Sequence, residues 1–236
     1  MAKKRKRPHA IAEIPDESEV VYLTHYEITD SPIQDRRYRR LPDQIKYAIE
    51  HLYEKAQKKP LEAIPEITEL IQKYPDLLML YNYLGVAYAR SGQKEAAEKV
   101  IEENFRRDPD YLFARLNYAE ILLVKGELER VAEVFDNKFD LQMLYPNRKR
   151  FHISEATGFM GIVGWYFVEI GERETAEKYY EILKQIAPDH PMTRRLHKKL
   201  SGGWLQRLLS PKSDKNEAEA DLKIRKGEGS EENSSC

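Results

Sequence analysis

The residues that could do bond-making chemistry are scattered along this chain. Six histidines and a single cysteine, Cys236, occur in 236 residues. There is no pair of cysteines at metal spacing, no His-Glu-x-x-His and no phosphate-binding glycine loop ending in lysine. His190 and His197 share a helical stretch but stand too far apart to hold one metal. Gly158-x2-Gly161-x2-Gly164 lacks the preceding strand and the spacing of a dinucleotide fingerprint. Within a helix these glycines cost roughly 2–3 kcal/mol relative to alanine. That cost implies a close approach, by a neighbouring helix or by a bound peptide. No catalytic residue, cofactor or metal is expected, and the chain reads as a non-enzyme.

What remains is contact chemistry. Two basic clusters offer charge: Lys3-Lys4-Arg5-Lys6-Arg7, and Arg36, Arg37, Arg39 and Arg40 around Tyr38. The second cluster stands just before Leu41-Pro42-Asp43, where a first helix is expected, with proline tolerated in the opening turn. Cations near a helix N-terminus oppose its dipole, by about a few tenths of a kcal/mol each. The cluster is therefore a candidate patch for an anionic partner. A solvated basic turn, or pairing with Asp35, is the plainer alternative.

The elements that would position these residues follow a fixed period. Pro75 and Pro109 are 34 residues apart, and so are Ala63 and Ala97, Ile67 and Ile101, and Gly92 and Gly126. A period of that length marks an array of stacked helical pairs. The clearest unit carries Tyr81-x2-Leu84-Gly85-x2-Tyr88, then Gly92, Ala97-x3-Ile101 and Pro109. Tyr81, Leu84, Gly85 and Tyr88 fall on one helix face. Gly85 and Ala97 are expected to touch across the pair, as are Gly164 and Ala176. Gly92 permits a left-handed turn. This unit resembles the tetratricopeptide repeat (TPR).

The next unit has Arg115-x2-Tyr118-Ala119-x2-Leu122, Gly126 and Val131-x3-Phe135. The last has Met160-x2-Val163-Gly164-x2-Phe167, Gly171, Ala176-x3-Tyr180 and Pro188. An insertion around Asn137–Ile153 separates their turns. It should add one packed turn, then an exposed basic loop at Asn147–Arg150, before a helix opened by Ser154 and Glu155. A degenerate unit with Ala63, Ile67 and Pro75 comes first.

The resemblance implies an all-α fold: a right-handed superhelical solenoid of about four TPR-like helical hairpins plus a C-terminal capping helix. The units span about 41–75, 76–109, 110–153 and 154–188, with the cap at 191–200. Residues 1–40 are expected to form a basic disordered start and an extended arm. Val20–Ile28 is β-branched and aromatic, with no sheet expected to receive it. It either packs on the array or is offered to a partner. Residues 201–236 are expected to form a hinge at Gly202-Gly203, a short amphipathic turn and a disordered tail.

Charges nearly cancel, with 39 Lys and Arg against 40 Asp and Glu. The cysteine content suits a reducing compartment. No signal peptide or membrane-length apolar run is seen, so a cytoplasmic location is expected.

In repeats of this family the first helix of each pair lines a concave groove. Carried over, that groove holds Met79, Asn82, Val86 and Arg90 from the second unit. Phe113, Leu116, Asn117, Glu120 and Leu123 follow from the third, and Trp165 from the fourth. Such an apolar stripe marks a binding site unless the chain's own arm covers it. Some relatives clamp the carboxyl terminus of heat-shock chaperones. Glu50 and Phe113 replace an asparagine and a lysine of that clamp, so this specificity is not expected. The resemblance implies a protein–protein interaction scaffold that holds a peptide or helix segment, with Phe113, Leu116 and Trp165 as anchors. Two alternatives stand beside it. One is a chaperone for secreted bacterial substrates. The other is an RNA-associated protein whose basic N-terminal clusters contact phosphate.

Overall fold

The computed structural model describes residues 26–33 and 35–209, with side chains through residue 202. The basic run Lys3–Arg7, most of the arm's apolar run and the tail lie outside them. The described chain is mostly helical. Its helices pack in sequential pairs, and each pair also touches the next.

Helices α2 (Asp43–Lys58) and α3 (Pro60–Lys73) form the first pair. Pro60 opens α3, where a missing N–H costs nothing. Ile49 and Ala56 on α2 and Ala63 and Ile67 on α3 are fully buried. Helices α4 (Leu78–Arg90) and α5 (Lys94–Arg107) form the second pair. The Tyr81 hydroxyl donates to the Pro75 carbonyl (3.1 Å), which pins the motif's first aromatic to the turn before it. Helices α6 (Leu112–Lys125) and α7 (Leu128–Val134) follow, then α9 (Ile153–Glu169) and α10 (Arg173–Ile186). The turns within the last three pairs place Gly92, Gly126 and Gly171 at φ of 81°, 74° and 86°. The left-handed turn expected from the sequence is therefore present in each of these pairs.

At Gly85, expected opposite Ala97, the nearest contacts are with Ile101 and Val100. A β-carbon added there would meet Ile101 Cγ1 at 3.0 Å and Val100 Cγ1 at 3.5 Å. The close approach falls one turn further along α5. At Gly164 the nearest neighbours are Leu196 and Tyr179.

Arg115 sits at the end of the short third pair. Its side chain is buried and donates to the Val134 carbonyl at the end of α7, and it pairs with Asp110 (3.2 Å) and Asp136 (3.4 Å). Asp136 and Asn137 then take positive φ, and α7 stops. The insertion continues as one turn, α8 (Leu141–Leu144), capped by the Asp140 side chain and seated through Leu141 and Leu144.

The basic stretch after α8 is exposed at Asn147, Lys149 and Arg150, as expected, and its half-buried Arg148 ties it down. Arg148 pairs with Glu155 and stacks 4.3 Å from the Phe151 ring centre. Residues Arg150–His152 form strand β2, which pairs in parallel with β1 (Glu27–Thr29). The arm thus has a sheet partner, and the fold has a small β element that the all-α expectation omits. Tyr26 packs edge-on to Phe151 at 5.1 Å, and Ile28 joins the same core. His152, not Ser154, caps α9, with Glu155 completing the capping box.

From β1 the chain crosses to a short helix, α1 (Arg36–Arg39), whose Tyr38 is buried in the core of the first two pairs. The arm therefore joins the two hydrophobic clusters of the molecule.

Helix α11 (Pro191–Leu209) packs on α9 and α10. It continues through Gly202-Gly203, the site of the expected hinge. Two helical glycines cost about 2 kcal/mol relative to alanine, which does not break the hydrogen-bonded helix here. Among the described residues no helix is long and apolar enough to cross a membrane.

Candidate binding groove

The first helices of successive pairs touch along one side: α2 meets α4, α4 meets α6, α6 meets α9, and α9 meets α11. The sequence-derived groove residues all lie on α4, α6 and α9. They do not share one environment.

At the α9 end the surface is closed by the chain itself. Trp165 is 4% exposed. The cations of Arg195 and Lys199, both on α11, each lie 4.2 Å from its ring centre, and its indole N–H donates to Glu169. Burial opposes ionisation of Glu169, but the hydrogen bonds from Lys199 and Trp165 outweigh it and hold its pKa below the usual carboxylate value. Arg195 also reaches across to Glu120 (2.5 Å) on α6.

The glycines of α9 make room for this closure. A β-carbon on Gly161 would meet Met192 at 2.7 Å, and one on Gly164 would meet Leu196 at 2.5 Å. Gly158 faces Leu116 at 2.8 Å. The close neighbour implied by these glycines is thus helix α11 and helix α6. Leu116 and Leu123 are buried in the same core. Leu116 and Trp165 are therefore packing residues, and Phe113 is half-buried beside Tyr111 (ring centres 6.0 Å).

Between α4, α5 and α6 the surface stays open. A groove of about 390 Å³ is lined by Asn82, Val86 and Ala89, by Ala97 and Ile101, and by Asn117, Ile121 and Val124. Lys94, Glu98 and Glu120 stand at its polar margins. Val124 is 69% exposed, high for a branched apolar side chain. Four of the sequence-derived residues meet here: Asn82, Val86, Asn117 and Glu120. Met79 is half-buried towards the first core, and Arg90 is exposed outside the lining.

The floor of the groove is set by a polar network. Asn82 Oδ1 accepts from Asn104 (2.9 Å) and Asn117 (3.0 Å), and Asn82 Nδ2 donates to the Tyr111 hydroxyl (3.3 Å). Asn104 is buried and also donates to the Leu78 carbonyl. Burial drives the Tyr111 hydroxyl well above its ordinary pKa, so it stays protonated. The network ties α4, α5 and α6 together and orients Asn82 and Asn117.

The groove residues missed from sequence lie mostly on α5, the second helix of its pair. Ile121 and Val124 could have been found: with Asn117 they form an i, i+4, i+7 stripe. Leu123, chosen instead, points into the core.

The arginine cluster lies next to the groove. Arg36, Arg37 and Arg40 line a cleft of about 690 Å³ with Asp35, Leu78, Asp108, Asp110 and Tyr111. Arg39 is exposed outside that lining. Asp35 caps α1 through the Arg37 N–H (2.7 Å), and the Arg37 side chain donates to the Asp76 carbonyl (3.0 Å). Pairing with Asp35, the plainer alternative from sequence, is thus a backbone cap. Among the described residues, no side group of His, Cys, Asp or Glu clusters in a way that could hold a metal.

Comparisons with protein-family models, with curated proteins and with solved structures found no match to this chain.

Proposed function

We propose that the chain is a protein–protein interaction module of the TPR-like superhelical kind, and that it holds a partner peptide in the groove between α4, α5 and α6. The observation that carries this reading is the open apolar lining with Val124 at its rim. An exposed apolar depression of this sort marks an interaction surface when the protein's own chain does not fill it. At the α9 end α11 fills the surface; the described residues leave this groove open.

The chemistry suits an extended peptide. Val86, Ala89, Ile121 and Val124 offer a pocket for a branched or aromatic side chain. Asn117 spends one amide hydrogen on Asn82. Its carbonyl and second amide hydrogen are suited to a peptide backbone. The periodic motif, the three positive-φ glycine turns and the sequential pairing support the superhelical reading.

A photo-crosslinking residue placed at Val124 in the full chain tests the proposal. In native cells it should capture a defined partner segment, whereas the same residue at Leu61, exposed on α3, should not. Equal capture at both positions would contradict it.

A further inference from the structure

The cleft beside the groove has a chemistry of its own. Arg36 and Arg40 are exposed and form no ion pair among the described residues, and Arg37 uses its guanidinium on a backbone carbonyl. Yet the segment that carries them is fixed. Tyr38, at its centre, is 6% exposed and its hydroxyl reaches Glu50 (3.1 Å). The wall opposite consists of Leu78, Tyr111 and two aspartates that are already engaged. Asp110 pairs with Arg115, and Asp108 accepts the Asp110 N–H (3.1 Å). Tyr111 also accepts from Asn82, which lines the apolar groove, so the two depressions share a wall.

We propose that this cleft binds side-chain carboxylates of the same partner peptide whose apolar residues fill the groove. The inference rests on the groove reading above. A guanidinium presents a planar fork of donors that matches a carboxylate. Leu78 and Tyr111 supply apolar wall for the stem of an aspartate or glutamate. Nucleic acid fits less well. A continuous run of phosphates would have to pass Asp35, Asp108 and Asp110, and like charges at close range repel. The partner segment is therefore a peptide that sets isolated carboxylates among apolar residues, so that single acids reach the arginines without running past Asp35, Asp108 and Asp110.

Selection from a random peptide library displayed on phage, against the immobilised full chain, supplies the probes. Selected peptides are then labelled and titrated in fluorescence polarisation. Binders should combine apolar residues with Asp or Glu. The double variant Arg36→Gln/Arg40→Gln should bind them about tenfold more weakly. Peptides with Asn or Gln in place of the acids should bind the wild type as weakly as that. Because both guanidiniums are exposed and form no ion pair among the described residues, thermal unfolding of the variant should match the wild type.

Unchanged affinity in the double variant, with loss on Val86→Asp, would overturn the cleft and leave the groove reading intact. Loss in the arginine variant with no effect of Val86→Asp would overturn the shared peptide and the groove reading together. A labelled uridine oligonucleotide that binds the wild type and not the arginine variant would reassign the cleft to phosphate.

Discussion

Replacing Gly164 by alanine separates two opposing effects whose sizes can be worked out. In a helix interior alanine is favoured over glycine by about 1 kcal/mol. Against this stands the space available. The new methyl would lie 2.5 Å from Leu196 Cδ2 and 3.2 Å from Tyr179 Cβ. Leu196 is 1% exposed and has no solvent to swing into, and the Tyr179 β-carbon moves only with α10 itself. Overpacking of this kind costs about 1–3 kcal/mol. Gly164→Ala should therefore leave the chain destabilised by about 0–2 kcal/mol net, and not stabilise it. Gly85→Ala meets only side-chain carbons of Ile101 and Val100, the nearest at 3.0 Å, so its two terms should nearly cancel.

Urea unfolding at constant m-value measures both. The Gly164→Ala/Leu196→Ala double variant gives the coupling, because removing the leucine in the alanine background should cost less than in the wild type. A Gly164→Ala chain more stable by about 1 kcal/mol, the full propensity gain, would refute the seating of α11 on α9.

Trp165→Ala should cost about 3–5 kcal/mol of stability, as a buried aromatic, so any loss of binding would follow loss of fold; an unchanged urea midpoint would contradict its burial. Arg115→Ala should cost roughly 2 kcal/mol by orphaning the Val134 carbonyl and thinning the core, less than for a fully buried ion pair because Asp110 and Asp136 remain solvated. Burial, and secondarily Arg194, lower the pKa of His190 below its usual 6.5, and its Nδ1 accepts from the Met192 N–H at the start of α11. The unfolded chain then takes up the proton first, so stability should fall as pH drops through about 6.5. His190→Asn should flatten that part of the profile, measured by urea midpoints across pH.

The periodic core was legible in the sequence because packing dictates it. Tyr81, Leu84, Ala97, Val131, Phe135 and Ala176 are all buried, and the three turn glycines have the backbone their positions require. Asn82, Val86, Asn117 and Glu120, carried over from the repeat resemblance, line the depression between α4, α5 and α6. What failed depended on long-range contact. The pairing of Glu27–Thr29 with Arg150–His152 joins segments far apart in sequence. Three-residue strands carry almost no local pattern. The burial of Trp165 depends on where α11 lands, which helical spacing within α9 does not state. Val124 was passed over for Leu123 because neighbours on a helix differ by about a quarter-turn. Only the packing of α6 decides which of them faces out.

The central claim, that the groove between α4, α5 and α6 receives a partner peptide, is tested most directly by methyl NMR of the full chain. Methyl signals are followed during titration with a phage-selected peptide. Val86, Ile121, Val124 and Ala89 should shift in step with occupancy, while Ala63 and Ile67, buried in the first pair, should stay still. Saturable binding that leaves the methyls of Val86 and Val124 unmoved would contradict the claim.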